Sequence, residues 1–243
     1  MSQPLLHPVS TGFEVAPWRL SGVVYGALLN HAPQLAALGA AAEQPPYKGA
    51  PRAPVLQVRP RNTLCGPGSV VGVPGAVEVG ASLGIVIGRT ACRVSVDEAE
   101  GVVAGYLVAA ELSLPSDSHY RPAVRLKARD GFTVLGPVVP AAEVEDPDAL
   151  ALQLVVNGQT RLQGCTGDRV RGVARLIADV TEFMTLSPGD VLLLGAETPA
   201  PQAQAGDQIT LGLEGLGALS FSLRSEEHTS ELQSRLHLVC RLL

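Results

Sequence analysis

Few residues in this chain are equipped for chemistry, and their company says what kind. The stretch His119-Tyr-Arg-Pro-Ala-Val-Arg-Leu-Lys-Ala-Arg-Asp-Gly-Phe132 gathers Arg121, Arg125, Lys127 and Arg129. Alternation along an extended segment would set all four cations on one face, where they could pair with the carboxylates of a small anion. The plain alternative is a solvated basic strand. Lys127 stands out because the chain has 16 arginines and only two lysines, so arginine is its habitual cation. His31, in Leu28-Leu-Asn-His-Ala-Pro-Gln34, is the residue type that exchanges protons near neutral pH, although a lone histidine after a strand is more often structural. Glu78 and Glu111 are isolated acids, ordinarily solvated charges. Cys65, Cys92, Cys165 and Cys240 are scattered without a Cys-x-x-Cys pair, which excludes a zinc knuckle or a disulfide framework and predicts reduced, buried thiols.

The elements that must position these groups are mostly strands. The chain has 243 residues, 46% hydrophobic and 17% charged, enough for one sizeable domain. With 26 Gly and 19 Pro it is unsuited to a helical bundle, and its apolar content excludes a disordered chain. A net charge of -5 without a long basic run argues against a nucleic-acid partner and leaves small anions open. The uncharged window from Leu20 to Ala42 is interrupted by Asn30, His31, Pro33 and Gln34, so it reads as a buried strand plus a loop rather than a membrane span. No secretory signal opens the sequence, and cytoplasm is the expected location.

Strands are predicted at Gly22–Leu29, Val55–Arg59, Tyr106–Leu112, Phe132–Val139, Leu150–Val156, Val191–Leu194 and Ile209–Leu213, with Val70–Val79 and Leu83–Ile87 as a pair. Asn157-Gly158 predicts a type I′ hairpin into Gln159–Gln163. Ser95-Val-Asp-Glu98 is a capping box that should open a short helix ending near Gly105. A second helix is expected over Asp168–Phe183, with Val170, Val173, Ile177 and Val180 on one face. The count is about ten strands and two helices, an α+β domain dominated by mixed sheet.

Four stretches, in order, carry more than a fold class. They are Tyr47-Lys-Gly-Ala-Pro-Arg-Ala-Pro-Val-Leu-Gln-Val-Arg-Pro-Arg-Asn-Thr-Leu64, Leu83-Gly-Ile-Val-Ile-Gly-Arg-Thr-Ala91, the His119–Phe132 segment, and Phe183-Met-Thr-Leu-Ser-Pro-Gly-Asp-Val-Leu-Leu-Leu-Gly195. Together they resemble the fumarylacetoacetate hydrolase family from Leu20 to Leu223. Within it the likeness is to the N-terminal half, or equivalent subunit, of isomerase/decarboxylases of 4-hydroxyphenylacetate (homoprotocatechuate) breakdown. The resemblance implies a mainly β, mixed-sheet roll or sandwich of that family's C-terminal-domain type with two short helices. It also implies a divalent metal, Mg²⁺ or Mn²⁺, that chelates a 2-keto acid and stabilises an enolate.

The sequence departs from the family at that metal. Where the family has a Glu-x-Glu strand motif, this chain has Gly80 and Ser82; Glu78 lies two residues upstream on the same face, and Glu111 stands where the family has an aspartate. Glu111 and Glu78 are thus the candidate ligands of a degenerate site. His31 corresponds to the family's lid histidine, with Gln34 in place of its accompanying glutamate, and Lys127 to its substrate-binding lysine. His31 and Lys127 are therefore the expected catalytic residues, with Arg121, Arg125 and Lys127 binding substrate. Two functions follow: decarboxylation of 5-oxopent-3-ene-1,2,5-tricarboxylate or isomerisation of 2-hydroxyhepta-2,4-diene-1,7-dioate, or a metal-free partner that packs against an intact paralogue. A homodimer or heterodimer is expected, without nucleic acid or membrane. The expected domain runs from 20 to 223 after a lead-in at 1–19. Residues 224–243 resemble the in-frame translation of a sequencing adapter, the alternative being a terminal helix capped by Ser225.

Overall fold

The computed structural model describes residues 22–45, 47–116 and 124–226. Among them, fourteen strands follow one another as β1 (Val24–Leu28), β2 (Val55–Arg59), β3 (Leu64–Cys65), β4 (Val70–Val73), β5 (Val77–Ile87), β6 (Val103–Ser113) and β7 (Thr133–Leu135), then β8 (Val139–Pro140), β9 (Ala151–Val156), β10 (Gln159–Cys165), β11 (Val191–Leu193), β12 (Gln202–Ala203), β13 (Gln208–Leu213) and β14 (Gly217–Ser225). Four short helices interrupt them: α1 (Ala32–Leu38), α2 (Val96–Ala99), α3 (Val124–Lys127) and α4 (Val173–Thr181). The mainly β, mixed-sheet class expected from the sequence is observed.

The strands form two sheets. One has the order β2-β1-β11-β5-β6-β7-β3, with β12 joining β5 and β8 joining β6; the other runs β10-β9-β13-β14-β4. Both are mixed, since β1–β11, β3–β7 and β14–β4 are parallel pairs. β2 and β3 lie at opposite ends of the first sheet's order although only Pro60 to Thr63 separate them in the chain. So short a link forces the sheet to curl until its edges approach. β5 and β6, eleven residues each, are its central pair and carry the apolar alternation on both faces. Val79, Ala81, Leu83 and Ile85 point from β5 into the main core with Leu154, Leu176, Ile177, Leu211 and Phe221. The opposite, concave face holds a smaller apolar cluster of Val24, Val86, Leu107, Ala109, Val191 and Leu193. By the same alternation Glu78, Gly80 and Ser82 of β5 and Glu111 of β6 continue that concave face, with Gly80 directly opposite Glu111.

Several local expectations need correction. Residues 70–87 do not form a self-paired hairpin: β4 joins β14 in the second sheet, and β5 runs unbroken through Ser82 because the equally long β6 pairs with it from Glu78 to Ile87. After β1 the chain does not loop but turns at Leu29 (φ 56) into α1, with Pro33 in its first turn, where a missing N–H costs nothing. The capping box at Ser95 and Glu98 forms, yet its helix yields to a 3-10 turn and then to β6 at Val103, since strand pairing with β5 outweighs a marginal short helix. α4 is shorter than expected; Val173, Ile177 and Val180 are buried but Val170 is exposed. Its N-terminus is capped from afar, with the Asp148 carboxylate accepting from the Val173 N–H at 2.9 Å. Asn157 (φ 51) and Gly158 (φ 76) make the expected tight turn between β9 and β10. Cys65 is buried, but Cys92 is exposed and Cys165 half-exposed, and Cys240 lies outside the described residues. β14 runs two residues past the expected domain end at Leu223, pairing Arg224 and Ser225 with Gly72 and Val73. No helix among the described residues is long and apolar enough to cross a membrane.

Candidate active site

The concave face of the first sheet opens into a cleft of about 350 Å³ lined by Asn30, Gln57, Glu78, Glu111, Lys127 and Glu197 among others. Each wall is set by a different element. β2 ends in Gln57 and Arg59, whose alternation aims both inward; Arg59 closes an otherwise uncharged strand and is almost completely buried. Its guanidinium donates to Glu111 Oε2 at 2.6 Å, and more weakly to the carbonyls of Leu112 (3.4 Å) and Lys127 (3.3 Å). Gln57 Nε2 donates to the same Oε2 at 3.2 Å. Glu111 Oε1 and the hydroxyl of its cross-strand neighbour Thr133 are buried without a partner among the described residues. Close approach of β1 to this pair requires Gly26, where a Cβ would lie 3.1 Å from Glu111 Oε2 and 2.9 Å from Gln57 Nε2.

Lys127, at the end of α3, also lines the cleft. Burial holds its ammonium below the ordinary lysine range, and Arg59 pushes the same way against the opposing pull of Glu111 and Glu78. The opposite wall is residues 195–200, anchored by Glu197. Glu197 Oε1 accepts from Arg169 Nη2 and its Oε2 pairs with His31 Nε2, both at 2.8 Å. The Thr198 N–H donates to His31 Nδ1 at 3.1 Å, which leaves the imidazole proton on Nε2, facing Glu197. Burial, reinforced by Arg169, lowers the His31 pKa against the pull of Glu197, so the ring is neutral at physiological pH. Asn30 ties this wall together, donating to the carbonyls of Arg171 and Leu194 and accepting from the Arg171 N–H.

Of the residues singled out in the sequence, the fold brings Glu78, Glu111 and Lys127 to one cleft. His31 is turned behind the wall, onto Glu197. The shared basic face does not form, because Val124–Lys127 is a helical turn rather than a strand. Arg125 is exposed, Arg129 pairs with Glu226 and stacks over Phe132, and Arg121 lies outside the described residues. Sequence reasoning passed over Arg59, Arg169 and Glu197. The first and last had a signal: a lone charge closing an otherwise uncharged strand, at Arg59, and another three residues after the apolar run Val191–Leu194.

Residues 23–224 match the family described as fumarylacetoacetate (FAA) hydrolase C-terminal. The chain belongs to this family. It is 35% identical over 217 residues, 88% of this chain and 50% of the relative, to the 4-hydroxyphenylacetate degradation bifunctional isomerase/decarboxylase of Escherichia coli. The match falls in that relative's C-terminal half, not the N-terminal half expected, because the four motifs carry the family without separating one half from the other. The chain spans about half the length of the curated relatives of this name. Among solved structures, the 5-carboxymethyl-2-hydroxymuconate delta-isomerase of Mycobacterium smegmatis superposes with a TM-score of 0.71 at 26% identity, covering 85% of this chain and 78% of that one. The fumarylpyruvate hydrolase of Pseudomonas aeruginosa, in complex with Mn²⁺ and pyruvate, has the same fold with a TM-score of 0.73 at 24% identity, covering 84% and 90%.

The family's divalent metal does not fit the residues present here. Among the described residues no three of His, Cys, Asp or Glu gather as a metal site. A Cβ on Gly80 would stand 2.5 Å from the Ala196 Cβ, so the space a side chain would need there is filled. Ser82 is buried, its hydroxyl accepting from the Gly195 N–H at 3.1 Å and donating to the Leu83 carbonyl. Glu111, the carboxylate that remains, is already neutralised by Arg59.

Proposed function

We propose that this chain is a domain of an isomerase/decarboxylase of homoprotocatechuate catabolism, binding 5-oxopent-3-ene-1,2,5-tricarboxylate, 2-hydroxyhepta-2,4-diene-1,7-dioate, or both. The observation that carries the reading is the desolvated Lys127 sharing one cleft with two carboxylates, Glu78 and Glu111. The likeness to the Escherichia coli isomerase/decarboxylase supports the pathway. In this reading the Lys127 ammonium meets the substrate carboxylate and the adjacent carbonyl oxygen, where negative charge gathers as the enolate forms. Glu111 is held rigid by Arg59 and Gln57 and shapes the floor of the cleft, while Glu78 takes up and returns the proton that an isomerisation moves between carbons. His31 is a positioning residue: with Arg169 it fixes Glu197 and hence the wall. The setting is cytoplasmic and the assembly a dimer with itself or a paralogue.

Gly80 and Ser82 favour a second reading, a non-catalytic domain that supports an intact paralogue. One assay separates the two. The conjugated chromophore of each substrate, an enone in the tricarboxylate and a dienoate in the dioate, is followed by its ultraviolet absorbance with the chain alone and with a family member that retains both glutamates. Turnover by the chain alone, lost in Lys127→Gln, supports the first reading; no turnover alone, with stimulation of the paralogue, establishes the second.

A further inference from the structure

The cleft balances its own charge. Arg59 and Glu111 form one buried pair, Arg169 and Glu197 another, with side chains 1% and 4% exposed in each. Lys127 stands in the field of Arg59, Glu111 and Glu78. A Mg²⁺ or Mn²⁺ ion entering beside Glu111 would need about six oxygens at close range. It would find a carboxylate whose Oε2 already accepts from a guanidinium at 2.6 Å, and an ammonium and a guanidinium repelling it. Of Glu111 itself, the one oxygen left over among the described residues is Oε1. On the positive side, Arg59 is held by Glu111 and two backbone carbonyls, so its charge is fixed before any ligand arrives. Lys127 adds three donors on a flexible stem.

We propose that this cleft binds its anionic 2-oxo acid without a divalent cation, Arg59 neutralising Glu111 and Lys127 making the cationic contact that a metal would otherwise make. The inference rests on the reading of the cleft as a 2-oxo acid site, and its test separates the two. Oxalate, a planar dianion that mimics the enolate of a 2-oxo acid, is titrated calorimetrically into the full chain in metal-stripped buffer with EDTA, and again in saturating Mg²⁺; Mn²⁺ is also titrated alone. The expected result is equal oxalate affinity in both buffers and no binding of Mn²⁺ alone. Lys127→Gln, its fold checked by thermal unfolding, should weaken oxalate binding at least about tenfold, the loss of one charge-assisted contact. Oxalate binding that appears only with Mg²⁺, tight Mn²⁺ binding alone, or unchanged affinity in Lys127→Gln would overturn the metal-free proposal and leave the 2-oxo acid reading standing. Oxalate binding in neither buffer would overturn the 2-oxo acid reading, and the proposal with it.

Discussion

Replacing Arg59 by methionine probes the interaction on which the cleft floor depends. The methionine fills much of the aliphatic volume but leaves Glu111, only 5% exposed, without the guanidinium that stands 2.6 Å from its Oε2. Removing one partner of a buried ion pair costs about 3–5 kcal/mol, because the surviving charge is left desolvated and uncompensated. The bonds from Arg59 to the Leu112 and Lys127 carbonyls, at 3.4 and 3.3 Å, are long and add little. For a domain of this size about 2–4 °C accompanies each kcal/mol, so the melting temperature should fall on the order of 10 °C. Arg59→Met with Glu111→Leu removes both charges and should recover most of that loss, since a buried pair exchanged for apolar groups is often close to neutral. Thermal unfolding by circular dichroism, with urea titration for the free energies, measures both variants. A single variant that loses less than about 1 kcal/mol, or a double variant no more stable than the single, would refute the argument that Arg59 is the obligatory counter-ion of Glu111.

The neutral, buried His31 predicts a pH effect. Its folded pKa lies below the ordinary 6.5, so as pH falls from there the unfolded chain takes up a proton that the folded chain refuses, and stability declines. Urea unfolding from pH 7.5 downward should show a shallower decline in His31→Gln than in the natural chain; equal slopes would count against the assignment. Filling the space beside Gly80 by Gly80→Ala should destabilise the domain by about 1–3 kcal/mol through collision with Ala196, and adding Ala196→Gly should restore most of it, as read by thermal unfolding. Ending the chain after Glu226 should leave the melting temperature unchanged, whereas ending it after Leu223 removes the last two rungs of β14 and the Arg129–Glu226 pair and should lower it by a few degrees.

How much of the site could be read in advance varied with the distance between its parts. Lys127 was found by composition and by the family resemblance, Glu78 by its spacing from Leu83-Gly-Ile-Val-Ile-Gly88, and Glu111 by the resemblance at Ala110–Ser113; all three line the cleft. His31 was found as well, but its surroundings were not: Arg169 and Glu197, the charged groups around it, lie 138 and 166 residues away. The basic segment misled because alternation presumes a strand, and Val124–Lys127 takes a helical turn instead.

Properties with a short range in the chain were determined by the sequence itself. The Asn157-Gly158 turn, the Ser95 capping box and the strand at Val55–Arg59 follow from backbone preference and from side-chain alternation, which need only neighbouring residues. Family membership, too, was written in four ordered motifs. Only the tertiary structure decided that Arg59 would face Glu111. That contact exists because the first sheet curls, bringing β2 on one side of its strand order over β6 on the other, a closure that depends on strand pairings distant in sequence. The filled space beside Gly80 is of the same kind, set by Ala196 after β11, more than a hundred residues further along the chain. Charge and volume inside a cleft are sums over everything that packs there, and no stretch of sequence contains that sum.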